Sequence, residues 1–419
     1  MTPPTEMHRG PVLRCYLAAS HLFPLVAKPI LQRRLKRGKE HPTRWPEKLG
    51  QALAPRPEGP LVWLHAVGLG EVLSVRGLID RLSKARPDLS FLVTSSTAAS
   101  AEVFAKNAPA RTLHQFLPLD APGYRRRFLD HFTPDFCVWV EQDLWPGLVS
   151  DLAARGIPQC MVAARMNTKS HSAHQRASGL FRDLYGAMAL ITAQDEATAA
   201  HLRSFGADPQ VSGSLKPAAP LLSYEPKALA TITAHLAGRT VWAVAPAHAA
   251  DMQIAQEAHD LLRKSDPSAL LIIAPRFPNA AVTHPGPRRS KGEMPNAEDA
   301  VWHFDTFGEL GLVYRLAHAV LIGGTFGDVE GHNPWEAAAL RCAILHGPRT
   351  ANFAADFGGL TAASGATLVR TADDIAAALT SDDLDAQVAH ATQAIKTASA
   401  QTDALAAALL QLLKMPDAR

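Results

Sequence analysis

The sequence predicts an α/β protein made of two Rossmann-like, doubly wound domains, and three observations carry that prediction. Short continuous apolar runs alternate with amphipathic stretches in two successive series along the 419 residues. The alternation lapses between the series, through Pro217, Pro220 and Pro226. Hydrophobic residues make up 47% of the chain and charged ones 19%, enough apolar material for sizeable cores. Continuous apolar runs suit strands buried on both faces, and strands alternating with helices close into parallel sheets through right-handed crossovers. The organisation expected is a basic N-terminal segment over 1–50, a first domain over 51–225 and a second over 226–419. The two domains are expected to face a cleft, with ligands at the carboxyl ends of the strands.

The N-terminal stretch Leu13–Leu31 is largely apolar but broken by Arg14, His21, Pro24, Lys28 and Pro29. Arg33, Arg34, Lys36, Arg37, Lys39, Arg44 and Lys48 follow it, against only Glu40 and Glu47. A secretory signal carries its charges first, so this order argues against one. It suits a helix lying in the plane of a cytoplasmic leaflet beside anionic headgroups, or else an ordinary docking helix with a solvated basic face. Leu61–Val67 then reads as the first buried strand, and Val72, Leu73, Val75, Leu78, Ile79 and Leu82 fall at helical spacing after it. Further strands are expected at Phe91–Ser95, Leu113–Leu117, Phe136–Val140, Gln159–Ala164 and Leu190–Ala193. The second series runs Val241–Ala245, Leu270–Ala274, Val301–Phe304, Ala319–Gly323 and Ala343–Leu345, interrupted by a Pro/Gly-rich loop at Pro278–Pro295. An Ala/Leu-rich stretch over 385–414 predicts one or two terminal helices.

Charge and cysteine usage exclude several classes. Lys and Arg total 42 and Asp and Glu 39, a net charge of +3, too small for a nucleic-acid binder. Cys15, Cys137, Cys160 and Cys342 form no Cys-x-x-Cys and no His/Cys cluster, so neither a structural zinc site nor a disulfide framework is expected, and a reducing compartment fits. No run of about 18 uncharged apolar residues occurs, which excludes a polytopic membrane protein.

The residues that carry chemistry sit where strands end. Gly68-Leu-Gly70-Glu71 follows the first strand and opens a helix, without the Gly-x-Gly-x-x-Gly of a dinucleotide site because position 73 is Leu. Glu71 reads either as a first-turn carboxylate complementing the helix dipole or as a general base. Glu141-Gln-Asp143-Leu-Trp145-Pro146 ends another strand, and Arg165 follows a third. In the second series Arg276 ends a strand and can meet a phosphate or a surface carboxylate, and Asp305–Leu310 opens a helix with capping chemistry. Gly323-Gly324-Thr325 leads to Gly331-His332-Asn333-Pro334-Trp-Glu336. There two glycines, the Thr325 hydroxyl and the next helix's free N–H groups can cradle an anion without a metal, and Glu336 can accept ribose hydroxyls.

Taken together, Gly70-Glu71, Glu141-x-Asp143-Leu-Trp-Pro146, Gly213-Ser-Leu-Lys216, Ala274-Pro-Arg276, Gly308-Glu309-Leu310, Gly323-Gly324 and Gly331-His-Asn-Pro-x-Glu336 resemble the 3-deoxy-D-manno-octulosonic acid (Kdo) transferase family in order and spacing. The resemblance implies a GT-B glycosyltransferase that moves Kdo from CMP-Kdo to a lipid A precursor with inversion, needing no metal and no cofactor beyond the CMP-sugar donor. It also implies attachment to the cytoplasmic face of the inner membrane through the N-terminal segment. Glu71 matches the family's general base, with Gly70, Glu141, Asp143 and Arg165 on the acceptor side. Lys216, Arg276, Gly308, Glu309, Leu310, Gly324, Thr325, His332, Asn333 and Glu336 match the donor side. Departures include Asp143 for Glu, Ala163 for Asn in the family's Asn-Ala-Arg, Ala247-His-Ala-Ala-Asp251 for Thr-His-x-Gly-Glu, Phe277 for the His of Pro-Arg-His, and Glu330 for Gly. An alternative reading keeps the fold but takes another CMP-linked acidic sugar or acceptor, or binds nucleotide or lipid without chemistry.

Overall fold

The computed structural model describes residues 7–278 and 285–413, which form two compact units. The first comprises the chain up to Ala219 together with the stretch from Ala398 onward, and the second is Pro220–Thr397. The first unit holds strands β1 (Leu61–His65), β2 (Ser90–Ser95), β3 (Thr112–Phe116), β4 (Phe136–Val140), β5 (Gln159–Ala164), β6 (Leu190–Ala193) and β7 (Gln210–Val211). They form one parallel sheet in the order β3-β2-β1-β4-β5-β6-β7. The second unit holds β8 (Val241–Ala247), β9 (Leu270–Pro275), β10 (Val301–His303), β11 (Ala319–Ile322), β12 (Ala343–His346) and β13 (Thr367–Leu368), parallel in the order β10-β9-β8-β11-β12-β13.

Both orders reverse once, between β1 and β4 and between β8 and β11. At such a switch point the flanking crossovers leave to opposite faces and open a crevice at the strands' carboxyl ends. The strands reach it because every residue of β1 and β4 is buried, Trp63, Trp139 and Phe136 among them, so both faces are covered by helices. The helix after β1, Leu69–Ala85, lays Val72, Val75, Leu78, Ile79 and Leu82 at helical spacing on the sheet.

Three expectations are revised. The N-terminal segment is not separate from the first unit. Its helices, α1 (Pro11–Ser20) and α2 (Phe23–Lys36), are tied down by Leu13, which is fully buried, and by hydrogen bonds from Tyr16 to Asp120 (2.7 Å) and from the Gly10 N–H to Asp183 (2.8 Å). Lys48 and Glu40, both buried, pair at 2.5 Å, and Arg34 of α2 joins Glu40. The second unit also stops short of the C-terminus. The terminal helix Leu384–Leu413 packs Ala391, Ala394 and Ile395 on the second core, but Leu405, Ala406, Leu409 and Leu412 on the first. Lastly, β7 and β13 escaped the sequence reading because two exposed residues carry no hydrophobic period. No helix among the described residues is long and apolar enough to cross a membrane.

Candidate active site

At the switch point of the first sheet, Gly68 caps the helix after β1 and Glu71 occupies its first turn. Glu71 Oε2 accepts the Val67 N–H at 2.8 Å, so it does tie the chain back onto the helix start. That capping does not keep it an ordinary carboxylate. Burial, and after it the charge of nearby Glu141, push the Glu71 carboxyl up to about 7, against the pull of the Val67 and Gly68 N–H groups and of Lys216. Glu141, the residue after β4, sits at φ +60°, a conformation that a non-glycine residue adopts at a cost. Its Oε1 accepts Lys216 Nζ at 3.2 Å and Gln194 Nε2 at 3.4 Å. Gln194 Nε2 also donates to the carbonyl of Ala163 at 3.0 Å, itself at φ +50° after a register shift in β5.

Asp143 is engaged differently. Its Oδ2 meets His65 Nε2 at 2.9 Å and the Trp145 Nε1–H at 3.0 Å. Burial acts to raise the Asp143 carboxyl, but the hydrogen bond and the charge of His65, with the Trp145 bond, outweigh it and hold it below the usual carboxylate value. Two carboxylates at one switch point are thus driven apart, Glu71 upward and Asp143 downward, the pattern of an acid–base site. Gly70 is exposed in the same first turn, and Arg165 follows β5.

The second unit has a comparable site at its own switch point. His248 and Asp251 start the helix Ala249–Ser265 with a reciprocal capping box. Asp251 is fully buried and accepts the N–H groups of His248 (2.9 Å), Gly324 (2.6 Å) and Phe326 (3.2 Å). His248 and His332 meet Nε2 to Nε2 at 2.8 Å with near-coplanar rings. Burial, with the charges of His248 and Arg276 next, lowers His332 to about 4. Arg276, after β9, stands over the exposed Phe277 ring at 5.4 Å. Burial pushes Glu336 up to about 7, and only a long Asn333 amide contact, 3.3 Å, opposes it.

The family is decided by likeness over most of the chain. A probable mitochondrial 3-deoxy-D-manno-octulosonic acid transferase of Arabidopsis thaliana is 32% identical over 364 residues, 82% of this chain and 81% of the relative. The chain belongs to the 3-deoxy-D-manno-octulosonic acid transferase family. The corresponding transferase of Bordetella pertussis is 31% identical over 361 residues, 80% of this chain and 83% of that one. The family's model, described as 3-deoxy-D-manno-octulosonic-acid transferase (kdotransferase), matches residues 43–219, which include Glu71, Glu141, Asp143, Arg165 and Lys216. A solved glycosyltransferase of Rickettsia africae shares the fold, with a TM-score of 0.54 at 10% identity over 85% of this chain and 98% of that one. As a Kdo transferase family member the protein is a glycosyltransferase of GT-B architecture.

Within this Kdo transferase the donor-side expectations divide. Arg276, His332 and Asn333 lie in the loops after β9 and β11 and Glu336 in the one-turn helix that follows, while Lys216 lies in the first unit on Glu141. Gly324 and Thr325 shape their loop. The Gly324 N–H is taken by Asp251, and the buried Thr325 hydroxyl donates to the Ile322 carbonyl and accepts the Gly347 N–H, leaving neither for an anion. The Trp335 N–H, opening the one-turn helix Trp335–Ala338, is taken by Asn333. Glu309 is held by Arg289 at 2.9 Å and by Thr306, Leu310 packs on the core, and Gly308 turns at φ +87°. The sequence reading passed over His65 and Gln194. A histidine closing an otherwise apolar strand was the available signal for the first, and nothing local marked the second.

Proposed function

We propose that the protein transfers Kdo from CMP-Kdo to a lipid A precursor, lipid IVA, with inversion and without a metal, at the cytoplasmic face of the inner membrane. The observation that carries this reading is the Glu71 carboxyl, raised to about 7 at the end of β1 beside the Glu141–Lys216 pair. A sugar hydroxyl is a weak nucleophile, and a base that titrates near the working pH takes its proton most effectively. In a single displacement Glu71 accepts the acceptor hydroxyl's proton as that oxygen attacks the anomeric carbon, and CMP leaves from the opposite face. Lys216 holds Glu141, and Gly70 and Arg165 flank the acceptor.

On the donor side Arg276 supplies the positive charge and His332, held by His248, the N–H group that meet the leaving phosphate, the work a metal does elsewhere. Asn333 and Glu336 take the ribose hydroxyls. Membrane attachment is supported by α2, whose Leu25, Val26 and Ile30, with Leu22 just before them, are exposed at helical spacing, while Arg33, Arg34 and Lys36 fill the last turn. At 14 residues the helix is about 21 Å long, too short to span but suited to the plane of an anionic surface. Incubation with lipid IVA and a panel of CMP-sugars in the presence of EDTA tests the proposal. Metal-free Kdo transfer, strongest with CMP-Kdo and inverted at the anomeric carbon, is expected. A preference for another CMP-sugar replaces the donor, and no transfer at all refutes the reading.

A further inference from the structure

His65 is fully buried at the end of β1, yet both its ring nitrogens are engaged. The direction of one of them follows from a neighbour that can only accept. The ionised Asp143 carboxylate only accepts, so His65 Nε2 carries the proton of their 2.9 Å bond, while His65 Nδ1 pairs at 2.9 Å with Thr94 Oγ1, which also takes the Trp63 indole N–H at 2.8 Å. That Nε2–H donates to Asp143 Oδ2. Trp145 donates to the same oxygen. The chain Trp63, Thr94, His65 runs through the buried interior and ends on a carboxylate whose side chain is 39% exposed. Two donors converge on Oδ2, while Oδ1 has no hydrogen-bond partner among the described residues.

We infer that His65 is a positioning residue, which fixes the Asp143 carboxylate so that Oδ1 is presented to a hydroxyl of the acceptor sugar. The inference rests on the reading of this site as the acceptor side. β1 links the two carboxylates: His65 is its last residue, and two residues on, the Val67 N–H holds Glu71. One strand end therefore carries both the base and the group that orients its substrate. Hydrogen bonds strengthen in a low-dielectric interior, and a preset carboxylate loses little freedom when it accepts a hydroxyl. Asp143 stays ionised while Glu71 titrates, so the two divide the work of holding and deprotonating.

A double-mutant cycle tests this. His65→Leu is expected to raise the KM for lipid IVA about tenfold or more with a smaller change in kcat, and Asp143→Ala to do the same. His65→Gln, which restores a donor, recovers most of the loss, and thermal stabilisation by CMP is unchanged throughout. Added to Asp143→Ala, His65→Leu costs nothing further. Additive losses, or a Gln variant no better than Leu, overturn the inference. Nitrogen-15 histidine NMR at pH 7 reads the same point without activity. His65 is expected to carry a proton on Nε2, whose N–H signal moves upfield in Asp143→Ala, and a ring with its only proton on Nδ1 overturns it. Should the wild-type protein transfer no sugar, the transferase reading fails, and the NMR result still decides the role of His65.

Discussion

Glu71 and Asp251 occupy the same place in the two halves of the molecule. Each lies in the third helical position after the first strand of its sheet, one following Gly68 and the other His248. Their fates differ because of what the strand across the switch point brings. After β11 the chain continues Gly323-Gly324, and at Gly323 a Cβ would stand 1.8 Å from the Pro246 carbonyl, so only glycine allows the approach that turns two backbone N–H groups onto Asp251. After β4 stands Glu141, whose charge, added to burial, pushes Glu71 up. One carboxylate is consumed as an internal clasp and the other is left with its proton affinity raised. Strand order sets where a site forms, and the partners at the crossing strand set what it can do.

The comparison breaks most visibly at Glu71. Glu71→Gln keeps size and most hydrogen bonding but removes the base, and turnover is expected to fall roughly 10²–10⁴-fold, with CMP-induced stabilisation intact. Near-normal turnover would reduce Glu71 to its capping role. Asp251→Ala is the counterpart. It orphans three backbone N–H groups and is expected to cost the second unit about 3 kcal/mol or more in chemical unfolding, and to abolish stabilisation by CMP. An unchanged unfolding midpoint would show that the clasp contributes nothing.

The titration of Glu71 sharpens the contrast. A base must be ionised to act, so kcat/KM should fall about tenfold per pH unit below about 7. The stability effect has the opposite sense. With the folded carboxyl raised from 4.5 to about 7, the folded state holds more protons between those values, so this contribution is present below that window and lost as pH rises through it. Thermal melting should show Glu71→Gln gaining on the wild type between pH 5 and pH 8, and no relative gain would contradict the raised value.

Smaller effects are expected at the periphery. Arg276→Ala should weaken CMP about tenfold by isothermal titration, through loss of a charge-assisted phosphate contact, and an unchanged affinity would place the phosphate elsewhere. The Leu25→Asp, Ile30→Asp pair should reduce sedimentation with anionic vesicles a few-fold, and wild-type binding should weaken with salt as surface charges are screened. Removal of residues 1–40 would be a poorer test, because it strands the buried Lys48 without Glu40.

Much of this architecture was legible in the order of residues. The apolar runs located the long strands to within a residue or two, because a strand covered on both faces must be apolar throughout, as Leu61–His65 and Phe136–Val140 are. Glycine and carboxylate at strand ends marked Glu71, Glu141 and Asp143, and spacing marked Arg276 and Gly331–Glu336. Roles were less legible than places. Nothing near Thr325 in sequence announced that its hydroxyl takes the N–H of Gly347, 22 positions away, or that the Gly324 N–H is spent on Asp251.

The sequence by itself determined two parallel-sheet series, the Pro-rich break between them and the residue types at each strand end, since hydrophobic period and turn chemistry act over a few neighbouring positions. Tertiary structure alone decided which of those groups are free to react. It set Glu141 beside Glu71, ran a hydrogen-bond chain from Trp63 to Asp143, closed Asp251 on the glycine loop and drew the last helix from Ala398 onward into the first unit. Burial and hydrogen bonding depend on partners tens to hundreds of residues apart, and the proton affinity of a carboxylate is settled only when those partners meet.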